Sequence, residues 1–131
     1  NDSNKIETQN DGCQTNGIHR ATGNVISNTS DARLKTNIEN IPNALDKVNQ
    51  LNGVTFDWTE AYMKQHGGED GYFVKKNDTG LIAQDVEQVL PEIVRSNKDG
   101  YLGVQYDKVV GLLVEAIKEL KQEIEFLKGK R

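Results

Sequence analysis

Cysteine, proline and tryptophan are nearly absent from this chain, whose 131 residues hold one Cys, two Pro and one Trp. A lone Cys13 cannot close an internal disulfide and has no second cysteine for a metal site, so it is structural or incidental. The two histidines, His19 and His66, sit in polar, glycine-bearing stretches without a spaced partner of ligand type. Neither reads as a metal ligand or a base. No run approaches the ~18 apolar residues of a membrane span. The opening NDSNKIETQNDGCQTNG also lacks the apolar stretch of a signal peptide. The chain therefore reads as soluble, with no membrane partner. A concentrated basic face is missing too: 16 Lys+Arg are scattered among 20 Asp+Glu, for a net charge of −4. That balance argues against a nucleic-acid partner. No glycine-rich phosphate loop, nucleophile elbow or completed calcium loop occurs, so no cofactor and no metal is implied. Asn-x-Ser/Thr triplets at Asn1, Asn28 and Asn77 are chance products of an Asn-rich chain. Counted with glycine and without tyrosine, about 41% of the residues are apolar, against roughly 45–50% in globular domains. The core should be modest.

What is present is unevenly spread. Residues 1–29 carry only Ile6, Cys13, Ile18, Ala21, Val25 and Ile26 as apolar side chains, with turn pairs such as Asp11-Gly12 and Asn16-Gly17 between them. Such a stretch buries no core alone. It is either disordered or the end of something larger whose partner strands come from elsewhere. Further on, Pro42 suits a first helical position, and Ala44, Leu45, Val48 and Leu51 share one face of a short helix that Asn52-Gly53 would stop. Val54, Phe56 and Trp58 alternate with polar residues as in a half-buried strand, and Phe56 and Trp58 are expected to anchor the core. YFV at 72–74 and TGLIA at 79–83 read as a projecting hairpin. QDVEQVL at 84–90 makes a helix ending before Pro91, and EIVRS, NKDG and YLGVQY make a second hairpin.

The last segment is the most regular. Tyr106, Val110, Leu113, Ile117, Leu120, Ile124 and Leu127 are spaced 4, 3, 4, 3, 4, 3, a heptad seam flanked by charged residues. An amphipathic helix packed on its own domain would show a wider stripe. The narrow one predicts a self-associating coiled coil. Val110, Ile117 and Ile124 at a with leucine at d lean to two strands, and three are not excluded.

One constellation carries potential chemistry, in NTSDARLKTNI at 28–38. A serine five residues before a lysine means little alone. SDARLKTNI, then NALDKVNQLNGVTFDW, GLIAQDVEQVLPEIV and YLGVQYDKVVGLLVEAIKELKQEIEFL, however, resemble the intramolecular chaperone domain that ends phage tailspike, tail-fibre and neck-appendage proteins. This is the peptidase S74 family typified by endosialidases, and the resemblance covers about residues 30–128.

The resemblance implies an α+β fold: a small mixed domain of short helices and β-hairpins, plus a long C-terminal coiled-coil helix, in a homotrimer. Residues 1–29 would end an upstream fibre stalk, 30–105 would form the chaperone and auto-cleavage domain, and 106–131 the coiled-coil helix. In the family, the domain trimerises and folds the stalk of the same polypeptide, then cuts itself off. Ser30 matches the nucleophile and Lys35 the lysine of a Ser-Lys dyad, with Asp31 and Arg33 as possible auxiliaries. Val110, Leu113, Ile117, Leu120, Ile124 and Leu127 would form the trimer seam, with Gln105 and Tyr106 near its axis. The site of action would be a virion tail or appendage precursor assembled in the host cytoplasm, with the chaperone fragment released after maturation.

A serine hydroxyl needs a base, and a lysine serves as one only as the neutral amine, which desolvation favours. Burial by closure of three chains would couple cutting to assembly. Attack by Ser30 on its own carbonyl would close a four-membered ring. Attack on the Thr29 carbonyl gives a five-membered one, and attack from another chain removes the constraint. The expected cut is Ser30-Asp31, with Thr29-Ser30 as the alternative. Asp31 would cap the following turn or orient Lys35, and Arg33 and Leu34 are expected as an ion-pair partner and a core residue. The competing reading is a non-cleaving trimeric fibre tip that binds a receptor. A hydrolase of outside substrates is disfavoured by the lack of a specificity loop.

Overall fold

The computed structural model describes residues 6–10, 12–15, 17–27, 29–69 and 76–130. Along the chain run β1 (Ile6–Gln9), β2 (Gly12–Thr15), α1 (Ala44–Asn49), β3 (Val54–Phe56), α2 (Glu60–Gln65), β4 (Asp78–Gly80), α3 (Ala83–Val89), β5 (Val94–Ser96), β6 (Leu102–Val104) and α4 (Val109–Gly129). Three-residue 3-10 turns lie at Ala32–Leu34, Pro91–Ile93 and Tyr106–Lys108. This is the small mixed helix and strand fold, with a long C-terminal helix, that the sequence predicts. The residues group into two compact units, one of 1–34 and 56–78, the other of 35–55 and 79–131.

In the first unit, β1 pairs with β2 antiparallel, Ile6 opposite Thr15 and Gln9 opposite Gly12. The partner strand of β1 is therefore its own neighbour in sequence. Helix α2 was not foreseen. Thr59 begins it, its Oγ1 accepting the Tyr62 N–H at 3.2 Å, as an N-cap threonine does. Trp58, Tyr62 and His66 then fall four apart and stack, with ring centroids 4.9 Å apart for Trp58 and Tyr62 and 4.2 Å for Tyr62 and His66. Phe56 meets Trp58 edge-on at 5.3 Å. His66 Nδ1 lies 2.9 Å from the Tyr62 carbonyl, which can only accept, so Nδ1 carries the proton. The Trp58 indole N–H donates to Asp78 at 3.1 Å. Phe56 and Trp58 thus build a half-buried aromatic ladder of this unit, and the expectation that they anchor the core is corrected.

The core lies in the second unit, around Ala44, Val86 and Leu112, all 0% exposed, with Leu90, Ile93, Val109 and Ala116 buried against them. Strand and helix ends here follow local chemistry. Helix α3 stops at Leu90, whose φ of −141° is not helical, because Pro91 follows and opens a 3-10 turn. Strands β5 and β6 pair antiparallel, Val94 opposite Val104 and Ser96 opposite Leu102. Gly100 takes the positive φ of +86° that the NKDG turn requires. Strand β4 pairs with β3, and Thr79 Oγ1 donates to the Val54 carbonyl at 3.0 Å. The other arm of the expected 72–83 hairpin lies outside the described residues.

Helix α1 starts two residues after Pro42 rather than on it. Asn43 sits in the left-handed region, φ 53°, and its side chain makes no cap. Glu119 of α4 supplies one instead, accepting the Ala44 N–H at 3.1 Å and the Leu45 N–H at 2.6 Å. A carboxylate at this end meets both unsatisfied donors and the positive end of the helix dipole. Asn40 adds a bond to Glu115 at 3.2 Å. Tyr106, expected near a three-fold axis, has its hydroxyl bonded by the Leu81 N–H of its own chain at 2.8 Å.

Candidate functional site

Ser30 is exposed and lies two residues before the Ala32–Leu34 turn, and Lys35, also exposed, immediately follows it. The turn is closed by the Leu34 N–H donating to the Asp31 carbonyl at 3.1 Å. Asp31 organises it. Its Oδ1 accepts the Arg33 backbone N–H at 2.9 Å and the Arg33 Nε–H at 3.1 Å, while Oδ2 accepts Nη2–H at 2.7 Å. The Arg33 side chain, then its backbone N–H, hold the Asp31 carboxyl below the usual carboxylate range, and the same pair raises Arg33. Asp31 and Arg33 are thus brought together as a fork-on-carboxylate pair, the geometry in which Asp31 acts as the cap of the turn.

Leu34 does not enter the core. It is 75% exposed, because an isolated three-residue 3-10 turn has no second turn with which to form a buried face. Val25 and Ile26 before Ser30 and Ile38 after Lys35 are likewise 69%, 98% and 67% exposed. Large apolar side chains on both sides of the motif therefore face solvent in the single chain. Asn37, at φ 52°, turns the backbone after Lys35.

Helix α4 carries two apolar faces. Val109, Leu112 and Ala116 are buried in the chain's own core. The heptad set Val110, Leu113, Ile117, Leu120, Ile124 and Leu127 is exposed by 42–66%. These side chains form a contiguous exposed apolar stripe along the helix rather than a random scatter of exposed residues. No helix among the described residues is long and apolar enough to cross a membrane.

Two features of the site escaped the sequence reading. The α2 ladder had a signal, since Trp58, Tyr62 and His66 are spaced four apart after a capping threonine. The Glu119 cap had none, because its partners lie 75 and 74 residues away.

The profile of the Peptidase S74 family, described as the chaperone of endosialidase, matches residues 30–95, beginning on Ser30. The long tail fiber protein Gp37 of Enterobacteria phage K3 is 42% identical over 105 residues, which is 77% of this chain and 8% of that protein. Gp37 of Enterobacteria phage T2 is also 42% identical, over 7% of its length. Gp37 of Salmonella phage S16 is 35% identical over 104 residues, 13% of its length. The chain thus spans a small part of the relatives it matches.

Proposed function

The chain belongs to the Peptidase S74 family, the chaperone of endosialidase, and from that premise we propose that it is an intramolecular chaperone that trimerises through α4. In this reading it folds an upstream phage-fibre stalk and then releases itself by autoproteolysis next to Ser30. The observation that carries the proposal is the pairing of a folded single-chain core with two solvent-facing apolar features, the stripe of α4 and the residues around Ser30 and Lys35. Both are surfaces that a three-chain assembly would cover. Residues 1–29 then belong to the end of the stalk, 30–105 to the chaperone and auto-cleavage domain, and 106–131 to the helix that joins the copies.

Ser30 Oγ is the proposed nucleophile and Lys35 Nζ the base. The neutral amine takes the Oγ proton as the Oγ–C bond forms on a carbonyl carbon. As the C–N bond of that peptide breaks, the proton passes to the departing nitrogen, leaving an ester that water hydrolyses. Attack on the Thr29 carbonyl proceeds through a five-membered ring and cuts Thr29-Ser30. Attack on the Ser30 carbonyl by the Ser30 of a neighbouring copy cuts Ser30-Asp31. Asp31 and Arg33 act as auxiliaries by fixing the turn that separates nucleophile and base. Closure of the neighbouring chains over the exposed Lys35 removes water from its amine, which is how assembly would switch the chemistry on.

A second reading, a non-cleaving trimeric fibre tip, is favoured by the relatives, which are named as long tail fiber proteins. One experiment separates the two. The chain is expressed with its upstream stalk, and the wild type, Ser30→Ala and Lys35→Ala are compared on a denaturing gel. A C-terminal fragment from the wild type alone supports autoproteolysis, and its first residue, Ser30 or Asp31, identifies the bond. An intact wild-type band in a verified trimer supports the tip.

A further inference from the structure

The α4 stripe has two flanks of different character. With Val110 at a and Leu113 at d, one edge of the seam carries Val109, Ala116 and Glu123, and the other carries Val114, Lys121 and Lys128. These are the g and e positions of the heptad. The two edges differ in what covers them. Val109 and Ala116 are buried, 7% and 4% exposed, on the side where α4 packs on α1. Val114 is 50% exposed, and Lys121 and Lys128 are exposed. One turn beyond Ala116 a groove opens between α1 and α4, lined by Leu45, Asp46, Glu119, Glu123 and Phe126 among others. It carries three carboxylates. One of them, Glu119, is engaged with the α1 backbone. The Phe126 ring already takes an ammonium, Lys130 Nζ standing 4.5 Å from its centroid.

Resting on the reading of α4 as a self-associating helix, we propose that the groove mouth receives Lys128 of a second copy. That lysine pairs with Glu123, and the pair makes the association parallel. In parallel coils a g residue faces the e residue five positions on in the adjacent helix. From Glu123 that residue is Lys128. The same count from Ala116 gives Lys121, opposite an alanine. An antiparallel arrangement would instead oppose the e edges, which in the register of greatest overlap brings Lys121 against Lys121 and sets Lys128 against Val114, away from Glu123. The charge order thus favours one orientation, and the groove beside Glu123 adds Asp46 to the negative field an incoming lysine meets.

The test is sedimentation equilibrium on the whole 131-residue chain, with helicity followed by circular dichroism. Glu123→Lys and Lys128→Glu should each lower the association constant about ten-fold or more, since a pair repeated between copies turns from attraction to repulsion. The Glu123→Lys/Lys128→Glu double variant should recover most of the loss. Lys121→Glu makes the same charge change opposite Ala116 and should stay within about two-fold. Unchanged single variants in an associating wild type, a double variant no better than the singles, or a Lys121→Glu loss equal to that of Lys128→Glu would each overturn the pair while leaving the assembly intact. A monomeric wild type would instead remove the self-association on which the pair rests.

Discussion

Helix α4 and the Ser30–Lys35 segment are built in opposite ways. Leu112 and Ala116 are locked into a core with Ala44 and Val86, and Glu119 reaches across to hold the first turn of α1. The Ser30–Lys35 segment holds an Asp31–Arg33 pair two residues apart and a three-residue turn, with large apolar side chains on either side left in solvent. The difference teaches where a single chain invests its packing. It holds α4 firmly in place and leaves Ser30 and Lys35 exposed, the arrangement that the proposed self-releasing chaperone would need.

The contrast can be broken first at the motif. Ser30→Ala should abolish the cleavage fragment while moving the melting transition little, because an exposed coil residue contributes within about 0.5 kcal/mol. A large loss of stability would mean that Ser30 is structural. Next comes the core: Leu112→Ala removes a fully buried side chain and should cost about 3 kcal/mol in denaturant unfolding. Ile117→Ala, on the exposed stripe, should change the midpoint of a dilute monomer little but weaken association. Third, Glu119→Ala deletes the cap of α1 and should cost about 1–2 kcal/mol, whereas Glu123→Ala on the same helix should be near neutral in the monomer.

The smallest effect concerns Asp31. Its carboxyl is held below the usual aspartate value of about 3.9, first by the Arg33 side chain and then by the Arg33 N–H. A lowered carboxylate pKa stabilises the turn at higher pH, and the contribution is lost as pH falls through the lowered value. Titration of the Asp31 carboxyl by NMR should therefore show a midpoint below about 3.9 that rises toward it in Arg33→Ala. An unchanged midpoint would remove the pair from solution.

How far the sequence was legible follows the same division. Helix α3, the β5–β6 hairpin and α4 carried strong local signals: a terminating Pro91, an NKDG turn, and a sustained heptad. The half-buried alternation at Val54, Phe56 and Trp58 was legible as a strand but not as to what it packs on, because periodicity tells which face is covered and not by which partner. Leu34 was misplaced for a related reason. An apolar residue beside a charged pair looks like a core anchor, yet a three-residue turn offers it no face to bury. The cap on α1 depends on a contact between residues more than 70 positions apart, where no local pattern exists. The proposed Ser30–Lys35 dyad has no local signal of its own and rests on the family resemblance.

The coupling of cleavage to assembly is tested most directly by a variant that cannot associate. Ile117→Asp/Leu120→Asp places charges on two exposed stripe residues without touching the core. With the upstream stalk attached, fragment release is followed on a denaturing gel for the wild type and for this variant, each with its mass measured by light scattering. The expected result is a fragment from the trimeric wild type and an intact chain from the monomeric variant. A monomer that cuts itself as fast as the wild type would contradict the coupling.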